Sequence, residues 1–234
     1  MRDSLRHFVA EFVGTFALVF VGGGAIMAAA ASRMESGLLV AAFAHGLIIA
    51  VMVSALMRIS GHFNTAVTIG FLAARRIEPI MAGVYVAAQI LGSITAAYAL
   101  KGLLPAALTE ATRIGGQSIA LEISAIQAIG LEAIATFFLV FVIFGTAVDP
   151  KAPRIGGLAI GLTITAGILA IGPFTGGSLN PARSLGPAIA SGIFEGQAVY
   201  WIGPVVGAVI AAVLYDTLFI RREREPLDHG AVRP

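Results

Sequence analysis

Residues Thr175–Pro187 read TGGSLNPARSLGP, and this stretch decides how the rest of the chain is interpreted. The pattern is typical of a tight loop that leads into a short helix: glycines free the backbone, Asn180 caps the helix and Pro181 opens its first turn. Long apolar runs flank it on both sides, so we expect this irregular backbone to lie within a bilayer. Such backbone persists there only if it is buried in protein or lines a wet cavity.

Residues Ser60–Thr68, SGHFNTAVT, form a weaker copy of this stretch, in which Asn64 corresponds to Asn180. A half-helix that directs its positive N-terminus into a cavity suits a dipolar or anionic solute. The nearby Arg183 adds a fixed positive charge to the second copy. Two such caps in one membrane chain predict a transmembrane pore.

The composition indicates an integral membrane protein. Of the 234 residues, 58% are hydrophobic and 12% are charged, whereas soluble domains carry about 25% charged residues. The absence of cysteine excludes a disulfide scaffold and a cysteine-ligated metal, and the net charge of +2 does not indicate nucleic-acid binding. We therefore expect no cofactor, no metal and no nucleic-acid partner.

Six apolar segments are long enough, or nearly so, to cross the ~30 Å hydrocarbon core of a bilayer. They are residues 8–31, 38–57, 82–100, 125–147, 155–172 and 197–220. The capped segments 64–73 and 180–190 follow the second and fifth spans, and each has about half the length of a crossing. The sequence predicts an all-α membrane protein with six transmembrane helices and two re-entrant half-helices. We expect one channel domain over residues 1–220 and a disordered cytoplasmic tail over 221–234.

An internal repeat relates residues 8–101 to residues 125–220. Glu11 recurs as Glu132 at an offset of 121 residues, and the two capped asparagines are 116 residues apart. Each half has three spans, an odd number, so the 3+3 repeat must be inverted, which places the site at the midplane. Carboxylates are costly in lipid, so Glu11 and Glu132 should face inward. Their symmetry indicates scaffold acceptors for backbone N–H groups of the half-loops.

Lysine and arginine residues are concentrated on one predicted side of the membrane. The N-terminus, the regions 58–76 and 148–154, and the tail hold eleven of them, whereas the opposite side holds three when Arg183 is set aside as a site residue. Because positively charged loops stay on the cytoplasmic side, we expect both termini in the cytoplasm. The expected location is the inner or plasma membrane of the cell.

These motifs resemble those of the aquaporin, or major intrinsic protein, family, whose pore signature is a repeated Asn-Pro-Ala. The resemblance is carried by SGHFNTAVT, GGSLNPARS, Tyr85–Gly92 and Tyr200–Ala208, and it covers the chain apart from the tail. It implies two half-helices that meet at the centre, and homotetramers with one pore per subunit. Thr65 replaces the usual proline, and the motif has one residue fewer between Gly61 and His62. We expect a slightly looser start of the first half-helix.

The resemblance also assigns the pore residues. It places the selectivity filter at His45, Ile168, Gly177 and Arg183. It places the pore centre at Asn64, Thr65, Ala66, Asn180, Pro181 and Ala182. It implies a ladder of backbone carbonyls from Gly61, His62, Phe63, Gly176, Ser178 and Leu179. The two asparagine amides would bind the oxygen of a passing water and so interrupt proton relay.

The filter resembles that of plant vacuolar-membrane aquaporins and mammalian relatives that pass ammonia and hydrogen peroxide with water. Members of the glycerol branch usually have an aspartate where Ser184 stands and a basic residue where Ala188 stands, and they lack the pair Tyr200-Trp201. The expected function is therefore a passive water channel that also passes small neutral solutes. A glycerol facilitator is the first alternative. A secondary transporter with inverted repeats is another, while scattered histidines and no nucleophile motif argue against an enzyme.

Overall fold

The structure, a computed structural model, describes residues 2–153 and 155–221. Its helices, in chain order, are α1 (Arg2–Ala31), α2 (Gly37–Leu56), α3 (Thr65–Ala73), α4 (Pro79–Leu103), α5 (Ala106–Ala111), α6 (Ala125–Ile143), α7 (Gly156–Thr175), α8 (Pro181–Ser191) and α9 (Gln197–Tyr215). Helices α6 and α9 each continue into a π-helical turn, over Phe144–Val148 and Asp216–Arg221. Within the described ranges, six helices are long and apolar enough to cross a membrane, which confirms the predicted fold class.

Helices α3 and α8 are the half-helices. With nine and 11 residues they rise only roughly 14 and 17 Å, about half of the hydrocarbon core. Their packing is exchanged between the two halves of the chain, because α3 lies mainly against α9 and α8 mainly against α4. Each half of the repeat thus supports the re-entrant helix of the other.

Two glycines permit this exchanged packing. A Cβ atom added to Gly70 of α3 would lie 2.9 Å from the carbonyl oxygen of Ala208, and one added to Gly186 of α8 would lie 2.1 Å from Ser93 Oγ. Both distances are too short for a side chain. Close helix approach through small residues is the usual way in which membrane helices associate, and here it packs α3 against α9 and α8 against α4.

The C-terminal ends of both half-helices contact a cation. Lys101 Nζ donates to the carbonyl of Ala190 at 2.6 Å, and Arg221 Nη2 donates to the carbonyl of Ala74 at 3.1 Å. The buried carboxylate of Asp216 pairs with Arg221 and with Arg76. Cations are favourable at the negative end of a helix and satisfy its last carbonyls. These contacts hold the C-terminal ends of α3 and α8 in place.

Arg221, which the sequence places in the tail, is the last residue of the π-helical turn after α9 and participates in this cluster. The other residues of the expected disordered tail, 222–234, lie outside the described residues, as does Arg154.

Candidate pore

The two half-helices begin with the same asparagine cap. Asn180 Oδ1 accepts hydrogen bonds from the backbone N–H groups of Ala182 (3.1 Å) and Arg183 (3.4 Å). Asn64 Oδ1 accepts from the second and third residues of α3 at 2.9 and 3.4 Å. Both asparagines have extended backbone, with φ near −155°, as an N-cap requires.

The side-chain amide of each cap binds the backbone of the opposite half. Asn64 Nδ2 donates to the carbonyl of Leu179, and Asn180 Nδ2 donates to that of Phe63, both at 2.8 Å. Each carbonyl belongs to the residue that precedes the other cap, so the N-termini of α3 and α8 meet at one buried point. Since an amide has two N–H bonds, each asparagine has a second donor beyond this contact.

Phe63 and Leu179 adopt left-handed backbone, with φ of 47° and 54°. For a residue with a side chain this conformation costs about 1–3 kcal/mol and persists only where the surroundings enforce it. In both loops a buried carboxylate accepts from the N–H of the strained residue and from the N–H of the residue before it, which supplies that constraint.

In the second half the carboxylate is Glu132 of α6. Its Oε1 accepts from Thr175 Oγ1 (2.7 Å) and from the N–H of Ser178 (2.8 Å), and its Oε2 accepts from the N–H of Leu179 (2.8 Å). The side chain is fully buried. Its oxygens are thus occupied by donors from the loop that precedes α8.

In the first half Glu11 of α1 has the matching place. It accepts from the N–H groups of His62 (2.9 Å) and Phe63 (2.7 Å) and from the hydroxyl of Ser60. Unlike its counterpart, it also accepts from an amide, Gln89 Nε2, at 2.7 Å.

A narrow cavity surrounds the meeting point of the caps. It is lined by Leu18, His45, Ile49, Val53, Gly61, His62, Phe63, Asn64, Val67, Leu139, Ile143, Ile160, Ile164, Ile168, Ser178, Leu179, Asn180 and Arg183. A second cavity, bordered by Phe71 and Tyr85, shares five of these residues and adjoins it. Apolar side chains form most of the wall.

Arg183 and His45 form a buried pair at the end of this cavity away from Tyr85. Arg183 Nη2 and Nε lie 2.9 and 3.2 Å from His45 Nε2, and His45 Nδ1 lies 2.7 Å from the carbonyl of Ala41. The carbonyl can only accept and the guanidinium can only donate, so His45 is the neutral tautomer with its proton on Nδ1. Its lone pair therefore fixes the position of the guanidinium.

Ile168 lines the cavity together with Arg183 and His45. Gly177, the fourth residue assigned to the filter, has its backbone against Ile168, since an added Cβ would lie 3.1 Å from Ile168 Cα. It is not among the described lining residues of the cavity. The same is true of Gly176, at which an added Cβ would lie 2.7 Å from Cβ of Gln117.

The other predicted residues are placed as follows. The expected carbonyl residues in the cavity wall are Gly61, His62, Phe63, Ser178 and Leu179. The residues buried in the first turns of the half-helices, behind the caps, are Thr65, Ala66, Pro181 and Ala182.

Comparison with known proteins agrees with this geometry. The family model described as major intrinsic protein matches residues 1–215. Aquaporin TIP1-2 of Zea mays and Aquaporin TIP2-1 of Arabidopsis thaliana are each 41% identical to the chain; the matches cover 93% of it and 87% and 88% of the two relatives. The chain belongs to the major intrinsic protein, or aquaporin, family. The X-ray structure of the aquaglyceroporin from Plasmodium falciparum superposes on it with a TM-score of 0.82 at 27% identity, covering 94% of this chain and 98% of the other.

Membership confirms the resemblance drawn from the motifs and makes this aquaporin a channel rather than an enzyme. The six apolar helices in the described part of the chain make it an integral, multi-pass membrane protein.

Sequence reasoning missed one residue that contacts Arg183 of this aquaporin. Gln117 lies in the connection between α5 and α6, and with its amide oxygen toward Arg183 it accepts from Nη1 (2.8 Å) and Nε (2.9 Å). In this orientation its amide nitrogen donates to Ser184 Oγ at 3.2 Å. The connecting segment carries a glycine pair but no motif, so no sequence signal indicates this contact. Arg183 is thus held by both His45 and Gln117.

Replacing Gln117 by alanine should loosen Arg183 without removing it. A hydrogen bond to a charged group contributes about 1.5–3 kcal/mol, so we expect permeability to glycerol and urea to rise roughly tenfold while water permeability stays within about twofold. Osmotic re-swelling of proteoliposomes measures both. Ser118→Ala, at the exposed neighbouring position, is the matched control. An unchanged solute profile in Gln117→Ala would contradict a role in holding the filter.

Proposed function

We propose that this protein is a passive channel that conducts water and small neutral solutes and excludes ions and protons. The observation that carries the proposal is the reciprocal contact of Asn64 and Asn180, which brings two half-helix N-termini to one point in the cavity wall. Each N-terminus carries roughly half a positive charge, so a cation at that point is repelled from both directions.

The caps also supply a route to proton exclusion. The second N–H of each asparagine amide is the donor available to a solute. Two donors on one side bind the oxygen of a water, whose hydrogens then point toward opposite ends of the file. A water so oriented accepts no hydrogen bond from its neighbours along the file, and this interrupts proton transfer through it.

Selectivity in this proposal arises at His45, Ile168 and Arg183, with Gly177 leaving room beside Ile168. A histidine in place of a bulky aromatic makes this constriction wider than that of a strict water channel, and an isoleucine in place of a histidine makes one wall less polar. Ammonia and hydrogen peroxide are therefore the small solutes expected to pass with water. Glycerol remains the competing substrate, because the superposed solved structure is that of an aquaglyceroporin.

A transporter would need a carboxylate exposed to its substrate for ion coupling. The oxygens of Glu11 and Glu132 instead accept hydrogen bonds from the half-loops. These contacts support a scaffold role and favour a channel.

Stopped-flow measurements on proteoliposomes test the function. Water is followed by osmotic shrinkage, glycerol by re-swelling, and ammonia and peroxide by dyes inside the vesicle. We expect water flux that is fast, non-saturating and independent of any ion gradient, together with measurable ammonia and peroxide flux and slow glycerol flux. Saturable flux that requires an ion gradient would favour the transporter, and glycerol flux comparable to that of water would favour the facilitator.

His45→Phe should narrow the filter and remove one of the two acceptors of Arg183. Because steric discrimination at such a site amounts to about 1–3 kcal/mol, we expect ammonia and peroxide permeability to fall roughly tenfold, and water permeability to fall less. The permeability ratios, measured in the same vesicle preparation, report this change. Equal loss for every solute would count against a filter role for His45.

We further propose that both termini lie in the cytoplasm, that the protein forms a homotetramer, and that it lies in the inner or plasma membrane. The excess of lysine and arginine on that side supports the orientation. Protease protection in sealed vesicles, crosslinking in membranes and cell fractionation test the three statements separately.

A further inference from the structure

Thr65 occupies a position at which the second half of the chain has a proline. It is the first residue of α3, as Pro181 is of α8, and the two are 116 residues apart. Proline favours a helix start because its ring sets φ and its missing N–H is not needed there. Threonine offers neither advantage, yet Thr65 is 1% exposed. The polar group at this buried site therefore needs a partner.

That partner is Gln89 of α4. Thr65 Oγ1 donates to Gln89 Oε1 at 3.1 Å, and Gln89 Nε2 donates to Glu11 Oε2 (2.7 Å) and Thr68 Oγ1 (2.9 Å). A carboxylate can only accept, so the amide nitrogen of Gln89 must face Glu11 and its oxygen must face Thr65. The fully buried amide is thereby satisfied at all three of these contacts.

Thr65 and Thr68 hold Gln89 between them. They are three residues apart and so lie on one face of α3. Thr68 Oγ1 also donates to the carbonyl of Asn64 at 3.1 Å, so the same hydroxyl is bonded to the residue that caps α3. The first turn of α3 is thus attached to α4 by two hydroxyl groups on a single amide.

This attachment reaches the pore centre through Glu11. The same carboxylate accepts from the N–H of Phe63, whose strained backbone presents its carbonyl to Asn180 Nδ2. The path from Thr65 through Gln89 and Glu11 to Phe63 is therefore a continuous set of hydrogen bonds. It ends on the amide that is proposed to bind water.

The second half of the chain uses different residues at the equivalent positions. Pro204 stands where Gln89 stands in the first half, at an offset of 115 residues. The carboxylate of Glu132 accepts from Thr175, Ser178 and Leu179 rather than from an amide on α9. A proline pair, Pro181 and Pro204, thus matches a hydrogen-bonded pair, Thr65 and Gln89.

We propose that Thr65 is a positioning residue that replaces the proline with a hydroxyl latch on Gln89. The inference rests on the proposed water-channel function, because its transport test requires that the protein conduct water. If proline acted only by preorganising the helix start, restoring it at position 65 would stabilise the first half-helix. The proposal predicts the opposite: restoring the family's proline should weaken the first half-helix. Thr65→Pro removes the only hydrogen that Gln89 Oε1 receives among the described contacts, and leaves that oxygen buried.

The test compares Thr65→Val, Thr65→Pro and Thr65→Ser by water permeability per channel and by thermal unfolding. An unpartnered buried acceptor corresponds to roughly a tenfold effect, so we expect permeability to fall about three- to tenfold in the valine and proline variants. Serine should restore it to within about twofold, because it keeps the hydroxyl. Thr95→Val, on an exposed face of α4, controls for the general loss of a hydroxyl.

Gln89→Leu provides the second arm. If Thr65 acts through Gln89, Thr65→Val should add little to the loss already caused by Gln89→Leu. Additive losses, or a proline variant that conducts and unfolds like the wild type, would overturn the proposal. Failure of the wild type to conduct water would instead overturn the proposed function, and the unfolding temperatures of the variants would still test the latch.

Discussion

Arg183→Val is expected to turn this channel from one that excludes cations into one that leaks them. A fixed charge about 4 Å from a passing cation contributes about 4 kcal/mol of repulsion at an effective dielectric constant near 20, so its removal should raise cation leak by up to roughly a thousandfold. Water permeability should be retained or should rise, because valine is smaller. Potassium and proton leak are measured with dyes in proteoliposomes, alongside water flux.

The matched control is Arg113→Val. Arg113 lies in the connection that carries Gln117, and it pairs with Glu195 at 3.7 Å outside the lumen. Its loss changes the net charge by the same amount, so leak that appears in both variants would reflect general electrostatics. An Arg183→Val channel that still excludes cations and larger neutral solutes would place the barrier elsewhere.

Glu132→Ala is expected to have the largest effect on folding. It leaves three buried donors, on Thr175, Ser178 and Leu179, without their acceptor. Each unsatisfied group costs about 1–3 kcal/mol, and the sum is comparable to the roughly 5–15 kcal/mol stability of a typical domain. We expect little folded protein in the membrane and at least a tenfold loss of water permeability per molecule. Yield after detergent extraction, unfolding temperature and flux report these losses.

Two further variants test whether the losses in Glu132→Ala come from the missing acceptor oxygens. Glu132→Gln keeps one acceptor oxygen but turns an amide nitrogen toward backbone donors, so its stability should lie between those of the wild type and the alanine variant. Glu122→Ala removes an exposed carboxylate and should change neither stability nor flux. Normal folding and flux in Glu132→Ala would mean that water or a neighbouring group replaces the carboxylate in holding the loop.

The helices and caps were accessible from sequence because their signals are local. The six spans follow from apolar length, and Asn64 and Asn180 follow from cap chemistry and the turn residues around them. The contacts that join these elements are not local. Gln117 reaches Arg183 from a segment with no motif, and the substitution of Thr65 for proline indicated a looser helix start, whereas the hydroxyl is bonded to Gln89. Its partner lies 24 residues away, on a helix whose facing side chains only the packing reveals.

The exchange of amides and carbonyls between the caps also bears on biosynthesis. Asn64 binds a carbonyl 115 residues further along the chain, and Asn180 binds one 117 residues behind it. A nascent chain that has inserted only its first three spans therefore carries an unmatched amide and a strained carbonyl inside the bilayer. The first half cannot finish folding until Leu179 has been synthesised, so truncated products should remain bound to insertion factors and be degraded, while full-length chains complete both caps together.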